Sequence, residues 1–301
     1  MNILLSGGTG FIGKALVRYF IQRGHVVYVL TRRSKQDEER VRYIPWMTGE
    51  ERELDYLKDN PIDVCINLAG EPMYDEKWTS IKKERIITSR IEATTRMISL
   101  VKQMEVKPHT FIQGSSTEYY GFAQDERFTD RSLPHLNSFS SEVCEIWENT
   151  FLLLNEPKVR MVTARMGIVL DDEDGPLEKL ATPIRYYLGG KVASGEQWVS
   201  WIHLYDLVRM LDHIINSPAI IGPVNVTSPN PVRMDELGKM IAEKLHKPYW
   251  LPLQDWLLKM IYGERSDWII EGKYVYPEKV TKQGFTFLYP TLSDALFEIY
   301  S

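Results

Sequence analysis

Asn2-Ile3-Leu4-Leu5 reads as a short apolar strand, and it runs straight into Ser6-Gly7-Gly8-Thr9-Gly10-Phe11-Ile12-Gly13. The residues from Phe11 to Phe20 then follow with helical periodicity. A glycine-rich turn joining a strand to a helix constrains the fold more than any other segment. It predicts the first βα unit of a parallel sheet and, at the turn, a dinucleotide site. The tight turn and the close approach of main chain to a pyrophosphate both exclude side chains. The helix that follows points its unpaired N–H groups and the positive end of its dipole at the phosphates. Two spacings fit the run: Gly8-Gly10-Gly13 matches G-x-G-x-x-G, and Gly7-Gly10-Gly13 matches G-x-x-G-x-x-G. A ligand-free glycine turn is the plain alternative.

Alternation of strand-like and helix-like stretches continues through the first half. His25–Thr31, Val64–Gly70 (ending in a small-residue turn), Thr110–Gln113 and Lys158–Arg165 read as strands, and a long helix is predicted from about residue 81 to 104. On that helix Ile86, Ile87, Ile91, Thr94, Thr95 and Ile98 lie near one face. The expected fold is α/β, a Rossmann-type doubly wound parallel sheet with a smaller, mostly helical C-terminal lobe. After about Leu170 the pattern loosens. Residues 203–216 read as a helix, and Gly222–Val226 as a strand returning to the sheet. The expected division is a dinucleotide-binding domain of residues 1–170 and 201–226, with a substrate lobe of 171–200 and 227–301.

Length and composition set the remaining bounds. With 301 residues there is ample chain for a core, and 44% hydrophobic against 26% charged residues excludes a disordered or fibrous protein. A net charge of −5 argues against a nucleic-acid or anionic-membrane binder. No apolar run reaches bilayer length, and the first strand begins at the N-terminus, so neither a membrane span nor a leader is expected. Cys65 and Cys144 form no C-x-x-C pair and the six histidines show no ligand spacing. The expectation is therefore a cytoplasmic protein without a disulfide framework or metal site. A small-molecule substrate is expected, and a homodimer is left open.

The second strand ends in Thr31-Arg32-Arg33, roughly 20 residues past the glycine turn, where an NAD site carries an acid for the ribose 2′-hydroxyl. Two guanidinium groups suit a 2′-phosphate instead. This predicts NADP(H), with Arg32 as the leading contact and Arg33 second. The competing interpretation is a solvated charge cluster with Asp37, Glu38 and Glu39.

The glycine turn, Asn67-Leu68-Ala69-Gly70, and Ser115-Ser116 ahead of Tyr120-Gly121 together resemble the extended short-chain dehydrogenase/reductases, the NAD-dependent epimerase/dehydratase family. Trp198–Val208, Gly222–Pro231 and the tail Tyr276–Phe285 are similar to a poorly characterised "epimerase family protein" subgroup with its own C-terminal domain. The resemblance covers essentially the whole chain. It implies that Gly7, Thr9, Gly10, Phe11, Ile12 and Gly13 line the pyrophosphate. Leu68, Ala69 and Gly70 pass under the ribose and adenine side. Ser115 and Ser116 lie beside the nicotinamide, with Ser116 as the catalytic-serine equivalent, and Arg165 ends the flanking strand as a further cofactor residue.

One family element is missing. The resemblance implies a Tyr-x-x-x-Lys pair on the helix near residues 139–148, whose phenol exchanges a proton while the lysine lowers its pKa. With Glu148 aligned to the acid found later in that helix, Ser140 and Cys144 occupy the two positions. A one-residue shift puts Phe139 and Val143 there. Proton transfer would then fall to Tyr119, Tyr120 or Glu142, although Tyr120 more naturally packs and Glu142 more naturally caps or is solvated. Cys144 reads as a small buried apolar residue. Arg85, Ser89 and Arg90 share a helix face that either meets a ligand or is solvated. His203 and Asp206 read as structural groups at a helix start and the seam between lobes. The expected function is an NADP(H)-binding oxidoreductase or epimerase acting on a small polar or nucleotide-linked substrate. The alternative is a non-catalytic NADP(H)-binding regulatory or redox-sensing protein.

Overall fold

The structure is a computed structural model that describes residues 1–33, 35–48, 53–172 and 175–301. In chain order it comprises β1 (Asn2–Ser6), α1 (Phe11–Gln22), β2 (Val26–Thr31), β3 (Val41–Pro45), α2 (Glu53–Leu57), β4 (Val64–Asn67), α3 (Ser80–Gln103), β5 (Thr110–Ser116), a 3-10 turn (Thr117–Tyr120), β6 (Ala123–Phe128), α4 (Phe139–Leu152), β7 (Arg160–Met166) and β8 (Ile168–Leu170). It continues through α5 (Pro176–Arg185), β9 (Trp198–Val199), β10 (Trp201–His203), α6 (Leu204–Asn216), β11 (Gly222–Val226), β12 (Val232–Arg233), α7 (Met234–Lys244), α8 (Asp255–Tyr262), a second 3-10 turn (Gly263–Ser266), α9 (Asp267–Ile270), β13 (Lys273–Val275), α10 (Glu278–Lys282) and α11 (Leu292–Ile299).

Seven strands form one parallel sheet in the order β11-β7-β5-β4-β1-β2-β3. Strand alternation explains how both faces are covered, because successive side chains point to opposite sides. Ile3 and Leu5 of β1, Val27 and Val29 of β2, and Val64 and Ile66 of β4 enter one core with Leu16 and Phe20 of α1 and Leu207, Leu211 and Ile214 of α6. Leu4, Tyr28, Leu30 and Cys65 enter the other with Met97 and Val101 of α3 and Phe151 of α4. The strand order reverses between β1 and β4, which opens the crevice at their carboxyl ends.

α3 differs in detail from the expected helix. Its buried side includes Ile86, Arg90, Ala93, Met97 and Val101, whereas Ile91 is exposed. The helix is rotated so that Arg90 faces inward to the loop after β4. A third core gathers Leu177 and Ile184 of α5, Leu237 and Ile241 of α7, and Leu292 and Leu296 of α11. Val280 of α10 and Phe285 pack instead with the main sheet, so the C-terminal segment contributes to both cores. No helix among the described residues is long and apolar enough to cross a membrane.

Two seam residues have sharper roles than expected. His203 itself caps α6, its Nδ1 accepting from Tyr205 N at 3.1 Å, which leaves Nε2 to donate to Glu298 at 2.7 Å. Asp206 accepts from Leu288 N and Tyr289 N (3.0 and 2.8 Å), tying the C-terminal segment to α6.

Candidate functional site

The glycine turn lies at the mouth of the crevice. Gly7 adopts φ +72°, and a Cβ there would stand 2.8 Å from the Leu68 carbonyl. A Cβ on Gly13 would be 2.2 Å from Gly7 O, and Gly10 N donates to that same oxygen at 3.0 Å. Gly7 and Gly13 of the Gly7-Gly10-Gly13 spacing are thus held to glycine by main-chain contacts, Gly7 also by its positive φ. Gly8 packs against Val29, leaving no space for a side chain. α1 begins at Gly10 with no side-chain cap, and Phe11 at its first turn lies against Gly175. Thr9 is exposed, and Ile12 is half-buried against the sheet core.

A buried polar network supports this turn from below. Ser6 Oγ donates to Asn67 Oδ1, and Asn67 Nδ2 donates to Gln113 Oε1 (2.9 Å) and Thr94 Oγ1 (3.2 Å). Asn67 Oδ1 also accepts from Ala69 N at 3.2 Å, which fixes the start of the Leu68-Ala69-Gly70 segment. Arg90 continues the job: Nη1 donates to Glu71 O at 2.9 Å, and the side chain fills the space beside Gly70. Ser89 Oγ accepts from Glu71 N, and Arg85 pairs with Glu76 and Glu71. The face shared by these three residues holds a loop.

Arg32 and Arg33 are exposed where β2 ends, and neither has an ion-pair partner among the described residues. Two of the three nearby acids are engaged elsewhere. Asp37 accepts from Tyr43 N and pairs with Arg42, and Glu38 accepts from Tyr43 Oη.

At the carboxyl end of β5 the side chains form a second, ionic network. Arg165 grips Glu148 with two hydrogen bonds (2.9 and 2.8 Å), and Ser115 Oγ donates to the same carboxylate at 2.7 Å. Its remaining reach goes to Tyr120 Oη at 3.0 Å, and its guanidinium lies 3.5 Å over the Tyr119 ring. Burial works against the Arg165 charge, and Glu148 more than restores it. Arg165, expected as a cofactor contact, is thus committed to an internal pair. Tyr120 is fully buried and donates to Asn225 Oδ1 at 2.6 Å, and desolvation pushes its phenol up to about 12. Ser116 caps the 3-10 turn by accepting from Glu118 N at 3.2 Å.

Glu142, expected either as a proton donor or as a capping or solvated acid, is exposed on the first turn of α4. Ser140 and Cys144 are buried on the inner side of that helix. Burial pushes the Cys144 thiol up to about 12, which makes it inert at neutral pH.

Sequence reasoning missed the groups that surround these two positions. Tyr74, from the loop after β4, hydrogen bonds through its hydroxyl to Ser140 Oγ at 3.0 Å. Burial, with the Glu118 carboxylate next, holds that phenol well above its ordinary range. Lys273, at the start of β13, pairs with Glu118 at 2.6 Å in a buried bridge, while the other Glu118 oxygen is buried without a partner. β13 is pinned in place by Ser200 Oγ, which donates to Lys273 O and accepts from Val275 N. A phenol and an ammonium thus reach the region from elements other than α4. No sequence spacing advertises them, because Glu118 and Lys273 lie 155 residues apart.

A cavity of about 570 Å³ adjoins this region, lined by the Pro72–Asp75 loop, α5, α7 and the segment from α8 to α9. Among the described residues no cluster of histidine, cysteine or acidic side chains is arranged to hold a metal ion.

A family model described as "NAD dependent epimerase/dehydratase family" matches residues 3–226. The chain belongs to that family. A second model, a domain of unknown function (DUF1731), matches residues 255–299, the segment that contains α8 to α11. Among related proteins, the epimerase family protein YfhF of Bacillus subtilis is 37% identical over 99% of this chain and 98% of its own. The chloroplastic epimerase family protein SDR39U1 homolog of Arabidopsis thaliana is 34% identical over 98% of this chain and 86% of its own. Among solved structures, the human epimerase family protein SDR39U1 with NADPH superposes with a TM-score of 0.89 at 26% identity, covering 100% of this chain and 99% of its own. A nucleoside-diphosphate sugar epimerase from Corynebacterium glutamicum gives 0.77 at 26% identity, and this chain covers 58% of it. Membership in the epimerase/dehydratase family fits the parallel sheet and the glycine turn, and it leaves the reaction to be argued from the side chains.

Proposed function

We propose that this chain binds NADP(H) and reduces the carbonyl of a small molecule. The glycine turn fits the cofactor: at Gly7 and Gly13 a Cβ would collide with main chain, and the uncapped start of α1 offers free N–H groups to a pyrophosphate. The choice of NADP(H) over NAD(H) rests on a single observation, the two exposed arginines ending β2 with Asp37 and Glu38 engaged by Tyr43 and Arg42. Arg32 and Arg33 would hold the 2′-phosphate. Leu68–Gly70 would lie under the ribose, and Ser115 and Ser116 beside the nicotinamide. The NADPH in the human relative SDR39U1 supports the same choice.

When bound, NADPH supplies a hydride to a carbonyl carbon; the proton for the oxygen comes from the protein. Tyr74 is the donor in this reading. Its raised pKa disfavours the phenolate needed for oxidation and makes the phenol a weaker acid, so proton transfer would rely on the strongly basic alkoxide oxygen that carbonyl reduction creates. Ser140 orients the hydroxyl, and the Glu118–Lys273 bridge sets the local charge. Tyr119 and Ser116 remain beside the path.

Titration with NADPH and NADH tests the cofactor. NADPH should bind at least about tenfold tighter, and Arg32→Ala should remove most of that margin, since a charge-assisted contact contributes about 1.5–3 kcal/mol. Tighter NADH binding would end the proposal. A non-catalytic, redox-sensing role is favoured by Ser140 and Cys144 at the two positions on α4. Tight NADPH binding without oxidation across a broad carbonyl panel would establish that role instead.

A further inference from the structure

Sugar-nucleotide binding needs cations for the diphosphate and polar partners for each buried hydroxyl, because unpaired polar groups are costly to bury. The cavity beside Tyr74 is built differently. Its walls are Leu180 and Ile184 of α5, Leu237 and Ile241 of α7, Leu258 of α8, and Trp268, which stacks on Tyr74 with ring centroids 4.6 Å apart. Its volume of about 570 Å³ is typical of a small-molecule site. Leu188, Ile261 and Tyr262 line it and are also exposed, so apolar surface continues outward from the cavity.

The polar groups are few and lie together. Lys179 Nζ and Arg265 Nη1 both donate to the Tyr74 carbonyl, at 3.5 and 3.3 Å. Neither has a carboxylate partner among the described residues. Arg265 Nε is buried without any hydrogen-bond partner. The carboxylate among the lining residues, Asp75, is engaged by Lys82 at 2.7 Å. The cavity therefore combines an apolar body with a net positive corner at the Tyr74 end.

We propose that this cavity binds a molecule with a long apolar body and one anionic end, of the long-chain carboxylate class, its anion held by Lys179 and Arg265. This goes beyond the reductase reading and does not rest on it: the carboxylate is held and not reduced, and the apolar walls favour a ligand unlike the small polar or nucleotide-linked substrate expected from the sequence. The match is one of charge and surface. Two unpaired cations meet an anion, and aliphatic and aromatic walls take up the chain.

The test uses the full chain, with and without NADPH, and follows displacement of an environment-sensitive fluorescent fatty acid. Palmitate should compete at a single site, hexadecanol should compete more weakly, and UDP-glucose should not compete. Lys179→Glu, on an exposed side chain, should weaken palmitate about fivefold while leaving hexadecanol unchanged. Leu180→Trp, which fills the cavity, should weaken both. NADPH affinity, measured in parallel, should stay constant in both variants. If NADPH binds and palmitate does not, or if UDP-glucose displaces the probe, the apolar-ligand assignment is overturned while the cofactor reading stands. If palmitate binds at one site and NADPH does not bind, the cavity assignment holds and the reductase reading falls.

Discussion

Gly13 has no room for a methyl group: its Cβ would lie 2.2 Å from one backbone oxygen and 2.6 Å from the Gly8 Cα, and neither neighbour is a flexible side chain. Gly13→Ala should therefore cost about 1–3 kcal/mol in urea denaturation and abolish NADPH binding by titration, because the turn must open to accept it. Near-normal affinity in that variant would mean that the turn does not hold the phosphates. The Arg165–Glu148 pair belongs to the same scale. Glu148→Ala strands a buried guanidinium and should destabilise the fold by about 3–5 kcal/mol, read as a lower denaturation midpoint. Such local features differ in how far the sequence discloses them. The glycine turn is legible because its physics is confined to eight successive residues. Glu148 is visible only as an alignment mark, since nothing near it in sequence reveals that Arg165 and Ser115 will converge on its carboxylate.

The same contrast governs whole elements. Periodicity locates α3 and six of the seven strands of the main sheet, because each buries an apolar face, but β3 (Val41–Pro45) is not among the expected strands. Periodicity also misses β6, whose Ala123-Gln124-Asp125-Glu126-Arg127-Phe128 reads as a charged surface run. β6 becomes a strand only by pairing with β13, and that pairing brings Lys273 to Glu118. Lys273→Met should thus destabilise the protein by about 3–5 kcal/mol by leaving the Glu118 carboxylate buried and unpaired. Adding Glu118→Gln should recover much of the loss, because the remaining group is neutral. If the double variant is no more stable in urea than the single one, the bridge is not what anchors β13. Tyr74→Phe makes a complementary case at the neighbouring loop. It deletes one hydrogen bond to Ser140 and should lower carbonyl reduction by about 10²–10⁴-fold with little change in NADPH affinity.

Across the whole molecule, protonation couples the chain ends to the sheet. His25, beside the N-terminus, His109, ahead of β5, and His213, on α6, all have their pKa lowered, in each case first by burial. The unfolded chain, with histidines near their ordinary value, then binds more protons than the folded one, so stability rises with pH in this range. The three contributions are complete above about pH 6.5 and are lost as pH falls through the lowered folded values. The melting temperature should accordingly drop between pH 7 and 5.5, a window in which most carboxylates stay ionised. His109 sets how much of the molecule responds. Its Nδ1 lies 2.7 Å from Thr110 Oγ1, which also accepts from Arg160, and Arg160 holds the carbonyls that end α6. A positive charge on His109 would therefore face Arg160, with Asp63 as the opposing charge, at the amino ends of β5 and β7 beside α6. His109→Gln should flatten part of the pH slope, and replacing all three histidines should remove most of it. A slope unchanged in the triple variant would assign the pH response to carboxylates instead.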